Sequence, residues 1–205
     1  MINISDLSKP GPRTVLHWFD FLCPYCYVGQ SRDALLRHCG LDVIDLPFQA
    51  HADIPKGGIA IGPRVGPAYT ALELEALDAG LELIWPPRLP DTRLALAASE
   101  WVREHAGDAS IGFNTALFAA HFEHGEDLDD LGLIDRYARR FGIDIEAMHK
   151  DIDEGSAGAA VTQAEAVGRR YGVRGTPAWL IRGELISGLR PTAEFERLAQ
   201  AEGSC

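Results

Sequence analysis

Cysteine is scarce. Four in 205 residues is far below the density of a disulfide-stapled scaffold, so stability must come from a core and any disulfide is expected to be chemical rather than structural. Long apolar runs are missing too. No stretch approaches the roughly 20 residues of a membrane helix, so a soluble chain with no membrane partner is expected. Basic charge falls short: 19 Lys and Arg stand against 30 Asp and Glu, a net charge of −11. That balance disfavours nucleic acid and anionic lipid as partners and leaves proteins or small molecules. Met1 to Pro12 carries no basic stretch leading into an apolar segment. It does not read as a secretory signal, and a cytoplasmic protein is expected. Aromatics are only 8%, but 46% of the chain is apolar, enough for an ordinary globular core. The length suits one enlarged domain better than two equal ones.

What is present begins with Thr14 to Phe19, a β-branched and aromatic run that reads as a central strand. Pro24 to about Cys39 favours a helix, with proline suited to its first turn and Gly40 placed to stop it. Leu41 to Phe48 reads as a second strand, closing a parallel, right-handed βαβ unit. From Gly57 to about Gly155 the pattern turns to helix upon helix. The expected spans are Tyr69 to Ala79, Thr92 to His105, Ile111 to Glu123, Leu128 to Phe141 and Ile145 to Glu154, with Asp91, Asp108 and Asp144 as N-caps. Ala157 to Tyr171 is a further helix. Ala178 to Arg182 and Leu185 to Ser187 then form a hairpin, and Thr192 to about Ala201 a closing helix.

Cys23-Pro24-Tyr25-Cys26 is the feature that carries chemistry. A Cys-x-x-Cys where a strand meets a helix puts the first thiol at the positive end of the helix dipole and the second within bonding reach. Such settings acidify the first cysteine, and the thiolate is the attacking form. The alternative is half a zinc site, but structural zinc needs four ligands and neither Cys39 nor Cys205 has a close Cys or His partner. No metal is expected.

The strand, the Cys-Pro-Tyr-Cys helix start, the helical insertion and Gly175-Thr176-Pro177 before a hairpin resemble the thioredoxin fold in its DsbA-like version. The FrnE-like and 2-hydroxychromene-2-carboxylate isomerase branch is the closer likeness, through Asp20, Tyr27, Gly29, Phe48, Asp53-Ile54-Pro55 and Leu89-Pro90-Asp91-Thr92, where that branch more often has Asn at position 91. The resemblance implies an α/β thioredoxin fold, βαβ then ββα, with a large inserted helical subdomain. Residues 1–61 and 156–205 would form the thioredoxin-like domain and 62–155 the insert. It implies a cis Pro177, with the Thr176 backbone turned toward the cysteines and free to pair with an extended substrate.

The expected site is therefore Cys23 as nucleophile, Cys26 as resolver and His17, six residues before Cys23, as a proton shuttle. Pro24, Tyr25, Thr176 and Pro177 would contact substrate. His17 could equally be a strand histidine bonded to nearby backbone, and Asp20 reads as a structural acceptor of turn amides. His121 and His124 read as a solvated helix end, and Glu73, Glu75, Asp78 and Glu82 as a helix surface. Cys39 reads as a buried, inert thiol and Cys205 as exposed. The expected function is thiol-disulfide exchange with protein or low-molecular-weight thiols, without a cofactor unless glutathione serves as co-substrate. The alternatives are a glutathione-dependent isomerase or transferase of small aromatic substrates, and a redox-regulated binding protein. Self-association into a homodimer is left open.

Overall fold

Thr14–Phe19 forms β1, whose last five residues are all buried because helices cover both faces of the sheet. The computed structural model describes residues 7 and 9–200; Cys205 lies outside the described residues. Helix α1 (Pro24–His38) follows, with proline in its first turn. Two backbone bonds close its end, Gly40 N–H to Arg37 O and Leu41 N–H to Leu36 O, a Schellman arrangement. Strand β2 (Asp42–Pro47) returns parallel to β1, Thr14 facing Asp42 and Trp18 facing Leu46. The expected βαβ unit is present.

Next come β3 (Ile59–Ala60), α2 (Pro67–Asp78), β4 (Arg88–Leu89), α3 (Arg93–His105), α4 (Gly107–Phe122), α5 (Leu131–Arg140) and α6 (Ile145–Asp153). Helix α7 (Ser156–Arg170), strands β5 (Ala178–Ile181) and β6 (Glu184–Ser187), and α8 (Thr192–Gln200) complete the order. The main sheet runs β2-β1-β5-β6, with β5 antiparallel to both neighbours. This is an α/β thioredoxin fold with a helical insertion. No helix among the described residues is long and apolar enough to cross a membrane.

Alternation along the strands builds two cores. Val15, Trp179 and Ile181 meet Leu36 of α1 and Phe195 of α8 on one face. Leu16, Trp18 and Leu180 meet Ala164 and Val167 of α7 on the other. A third core joins the insert helices to Phe19, Phe21, Cys26 and Tyr27, so the start of α1 is packed from both halves.

Several helix boundaries differ from the periodicity, α2 for instance starting at Pro67 rather than Tyr69. Helix α4 starts at Gly107, so Asp108 lies in its first turn rather than at the cap. Helix α5 starts at Leu131, where the Asp130 side chain accepts from Gly132 N–H, while Leu128 is drawn wholly into the core. Thr92, not Asp91, is the N-cap of α3, although Asp91 Oδ1 accepts the Arg93 amide at 3.0 Å. Asp144 caps α6 as expected, accepting from Ala147 N–H. Cys39 is also corrected: it is buried but disulfide-bonded, so it is not a free thiol, and a disulfide exists outside the Cys-x-x-Cys pair.

One close approach yields a prediction. Trp18 is fully buried, its indole N–H donating to Ala164 O at 3.2 Å, and a Cβ on Gly168 would stand 2.9 Å from that nitrogen. Gly168→Ala should gain about 1 kcal/mol of helix propensity but lose about 1–3 kcal/mol to overpacking against a ring with no room to retreat. A net loss of about 1 kcal/mol is expected as a lower urea midpoint; an unchanged or higher midpoint would show that the ring can move.

Candidate active site

Cys23 is the N-cap of α1, with extended backbone and no side-chain capping bond. Its carbonyl receives the Cys26 and Tyr27 amides at 2.9 and 3.2 Å. The sulfur thus stands where a capping oxygen would, at the positive helix end, with no acidic residue in the first turn. Cys23 is partly exposed while Cys26 is fully buried, and both are free thiols.

The two sulfurs are electrostatically unlike. The neighbouring Cys26 thiol does most to hold the Cys23 thiol below the ordinary range; burial opposes this, the Cys26 amide and Thr176 assist, and the Asp20 charge opposes. Burial, then the Cys23 sulfur, pushes Cys26 well above its ordinary value. The Thr176 carbonyl accepts the Cys23 S–H at 3.3 Å, which favours the thiol. The Thr176 side chain favours the thiolate of both sulfurs, although its buried hydroxyl makes no hydrogen bond. The Thr176–Pro177 bond is cis. Thr176 therefore meets the cysteines, as the resemblance implies.

Asp20 anchors the turn beneath. Its carboxylate accepts from the Leu22 amide at 3.2 Å, the Ala50 amide at 2.8 Å and the Thr92 hydroxyl at 2.7 Å. Full burial raises its pKa despite these bonds. Its position joins the cysteine turn, the segment after β2 and the start of α3, a structural part. Gly29 is needed for space, since a Cβ would stand 3.2 Å from the Trp179 ring.

His17 is bonded to side chains rather than backbone. Its Nδ1 lies 3.0 Å from Asp33 Oδ2 and 2.8 Å from Asp45 Oδ1, and its ring stacks on Trp179 at 4.6 Å. Its Nε2 is buried without a partner. Burial alone would lower its pKa, but Asp33 and then Asp45 outweigh burial and raise it to about 9. These three residues are the group among the described residues with ligand atoms close enough for a metal ion. Arg37, 2.7 Å from Asp45 Oδ2, and the imidazolium already balance the two carboxylates.

His121 is buried rather than solvated, its Nδ1 3.2 Å from Glu126 O, while His124 is exposed. Glu73 is exposed, as expected of a helix surface, and accepts the Trp85 indole N–H at 2.6 Å, while half-buried Glu75 pairs with Arg32 at 2.8 Å.

A cleft of about 550 Å³ opens over Cys23. Cys23, Pro24, Tyr25 and Thr176 line one side, and Arg64, Tyr69, Leu72, Trp85 and Leu89 the other. The second side was not foreseen. It comes from the insert, and nothing in its local pattern ties it to a cysteine 40 or more positions away.

Sheet order, cysteine turn and the Thr176–Pro177 loop together define a thioredoxin-like dithiol site. Residues 14–200 match the DSBA-like thioredoxin domain, and the chain belongs to that family. Among solved structures it is similar to a probable DsbA oxidoreductase from Streptomyces coelicolor, with TM-score 0.74, 20% identity, and 94% of this chain and 91% of that one covered. A 2-hydroxychromene-2-carboxylate isomerase gives TM-score 0.74, 20% identity and coverage of 93% and 94%. The cytosolic disulfide reductase DsbM from Pseudomonas aeruginosa with GSH gives TM-score 0.58, 16% identity and coverage of 91% and 93%. Family membership makes this chain a thiol-disulfide oxidoreductase or a related enzyme.

Proposed function

We propose that the protein is a thiol-disulfide oxidoreductase in which Cys23 attacks and Cys26 resolves. The supporting observation is the inequality of the two sulfurs: Cys23 at the helix start, facing the cleft with a lowered pKa, and Cys26 fully buried with a raised one. Cys23 thiolate attacks a substrate disulfide, forming a mixed disulfide and releasing one substrate thiolate. Cys26, losing its proton, then attacks Cys23 Sγ, closing the Cys23–Cys26 bond and releasing the second thiolate. The reverse sequence oxidises a dithiol.

The proton-shuttle role proposed for His17 rests on its charge state alone. Its Nδ1 faces Asp33 and Asp45, so Nε2 is the nitrogen left for proton traffic. The imidazole is held protonated up to about pH 9, but its Nε2 bonds neither sulfur and the ring lines a cavity other than the Cys23 cleft, so this role has no direct contact with Cys26 behind it. Pro24, Tyr25, Thr176 and Pro177 form the substrate-facing rim, and residues 62–155 act as an insert supplying the cleft's far wall. Partners are protein or low-molecular-weight thiols and disulfides in a cytoplasmic setting, with no resident cofactor.

A second reading is a glutathione-dependent isomerase of small aromatic substrates. The Tyr69 and Trp85 rings in the cleft favour it, as do the neighbours that are an isomerase and a GSH-bound reductase.

Alkylation of the reduced chain with limiting iodoacetamide tests the assignment. Cys23 should be labelled first, with a rate rising through a midpoint below the ordinary cysteine value near 8.5. Preferential labelling of Cys26, or a midpoint at or above that value, would overturn it.

A further inference from the structure

The two walls of the cleft differ in origin and in chemistry. The thioredoxin half supplies the reacting sulfur; the insert supplies two aromatic rings, apolar Leu72 and Leu89, and one cation, Arg64. Tyr69 and Trp85 meet edge to face at 5.2 Å, and the Trp85 ring is fixed by its N–H bond to Glu73. The Arg64 guanidinium carbon stands 5.9 Å from the Tyr69 centroid and 5.7 Å from that of Trp85.

Among the described residues Arg64 is the arginine that lines this cleft, and it has no ion pair and no side-chain hydrogen bond, whereas several arginines elsewhere in the fold are engaged. Arg32 pairs with Glu75, Arg37 with Asp45 and Arg93 with Glu165, and Arg88 donates to Gly57 O. Two of the α2 carboxylates are engaged elsewhere, Glu73 by Trp85 and Glu75 by Arg32. In a chain with 30 acids against 19 Lys and Arg, an arginine left without a carboxylate while it lines a cleft needs a reason. A guanidinium held near aromatic rings by cation–π attraction, with none of its N–H donors engaged, keeps those donors available to fork onto a planar anion.

We propose that Arg64 is a specificity-determining residue whose free N–H donors receive the carboxylate of small thiols and disulfides bound with their sulfur at Cys23, their apolar body lying against the Tyr69 and Trp85 rings. The inference rests on the dithiol reading and names the substrate class of the same site: acid-bearing low-molecular-weight disulfides in preference to neutral ones. The net charge of −11 repels such anions at long range, so the preference is a contact effect of this one side chain, not of the overall field.

Two aromatic disulfides separate the class. Dithiobis-nitrobenzoate carries a carboxylate on each ring; dithiodipyridine is neutral near pH 7. With either, Cys23 thiolate attacks one sulfur and expels an aryl thiolate. Cys26 gives up its proton and attacks Cys23 Sγ, so one disulfide forms in the protein and two aryl thiols or thiolates leave, and release of the chromophore reads the rate. The measured quantity is the ratio of second-order rate constants for the charged over the neutral reagent, at one fixed, low ionic strength. Arg64→Gln should lower that ratio about three- to tenfold, the range of a partly exposed charge pair with charge-assisted hydrogen bonds. Arg64→Lys should restore part of the loss. Lys150→Gln makes the same charge change at an exposed position on α6 and should leave the ratio unmoved. An unchanged ratio in Arg64→Gln overturns the inference, as does an equal fall in Lys150→Gln, which would assign the effect to the general field. A Cys23 that reacts with neither reagent overturns the dithiol reading beneath it, a separate and recognisable failure.

Discussion

Cys23→Ser should abolish disulfide exchange, while Cys26→Ser should still react once and then accumulate mixed disulfides. The asymmetry follows from where the sulfurs lie. Cys23 faces the cleft at the N-cap of α1 and is the thiol held below its ordinary pKa. Cys26 is buried behind it, without access to substrate. Hydroxyl in place of the Cys23 thiol removes the nucleophile, and insulin reduction should drop to background, a loss of at least about a thousandfold given the weak acidity of serine. Hydroxyl in place of Cys26 leaves attack intact but removes the group that releases the product. Intact mass after exposure to oxidised glutathione should then show one adduct per chain, located at Cys23, with turnover down by about a hundredfold or more. Steady-state activity of Cys26→Ser equal to that of the parent chain would sink the dithiol mechanism and favour the glutathione-dependent isomerase reading, which needs no second thiol.

The parts legible in the sequence are those whose causes are local. A β-branched run made β1, proline opened α1, and hydrophobic periodicity located every longer helix of the insert. The Cys-Pro-Tyr-Cys pair announced itself because its chemistry depends on a spacing of three. What escaped depends on contacts between distant segments. Strands β3 and β4 are two residues each and exist only by pairing with one another, Ile59 opposite Leu89. The shift in the start of α5 reflects the burial of Leu128, which no propensity reports. His17 showed its identity but not its partners, because Asp33 and Asp45 reach it from α1 and β2. Arg64, Tyr69 and Trp85 read as ordinary insert residues until the fold carries them over Cys23. The position of Thr176 beside the sulfurs followed from resemblance, not from any local signal.

The His17 cluster should make the fold lose stability in mildly alkaline solution. Burial by itself would lower the pKa of His17, but the Asp33 carboxylate and then Asp45 overcome burial and raise it from 6.5 to about 9. A group whose folded pKa is raised stabilises fully below its unfolded pKa and ceases to do so as pH climbs through the folded one. The contribution is therefore whole below about pH 6.5 and gone above about pH 9, and between pH 7.5 and 9.5 the loss is about 2 kcal/mol. Glu100, raised to about 7 by burial against its Arg103 partner, weakens the fold over a lower window, from its ordinary 4.5 to about 7, and hardly enters this one. The cysteines do titrate here, in opposite senses, so urea unfolding is best compared in a Cys23→Ser, Cys26→Ser background. His17→Gln in that background should cost about 3 kcal/mol at pH 7.5, the order expected when one member of a buried charge network is removed. Asp33 and Asp45 would then share only Arg37 and the Trp179 N–H, which lies 2.7 Å from Asp33 Oδ1. The substitution should also flatten the slope between pH 7.5 and 9.5. A parent chain with equal stability at both pH values, or a His17→Gln variant that keeps the slope, would show that the imidazole is not held protonated between the two carboxylates.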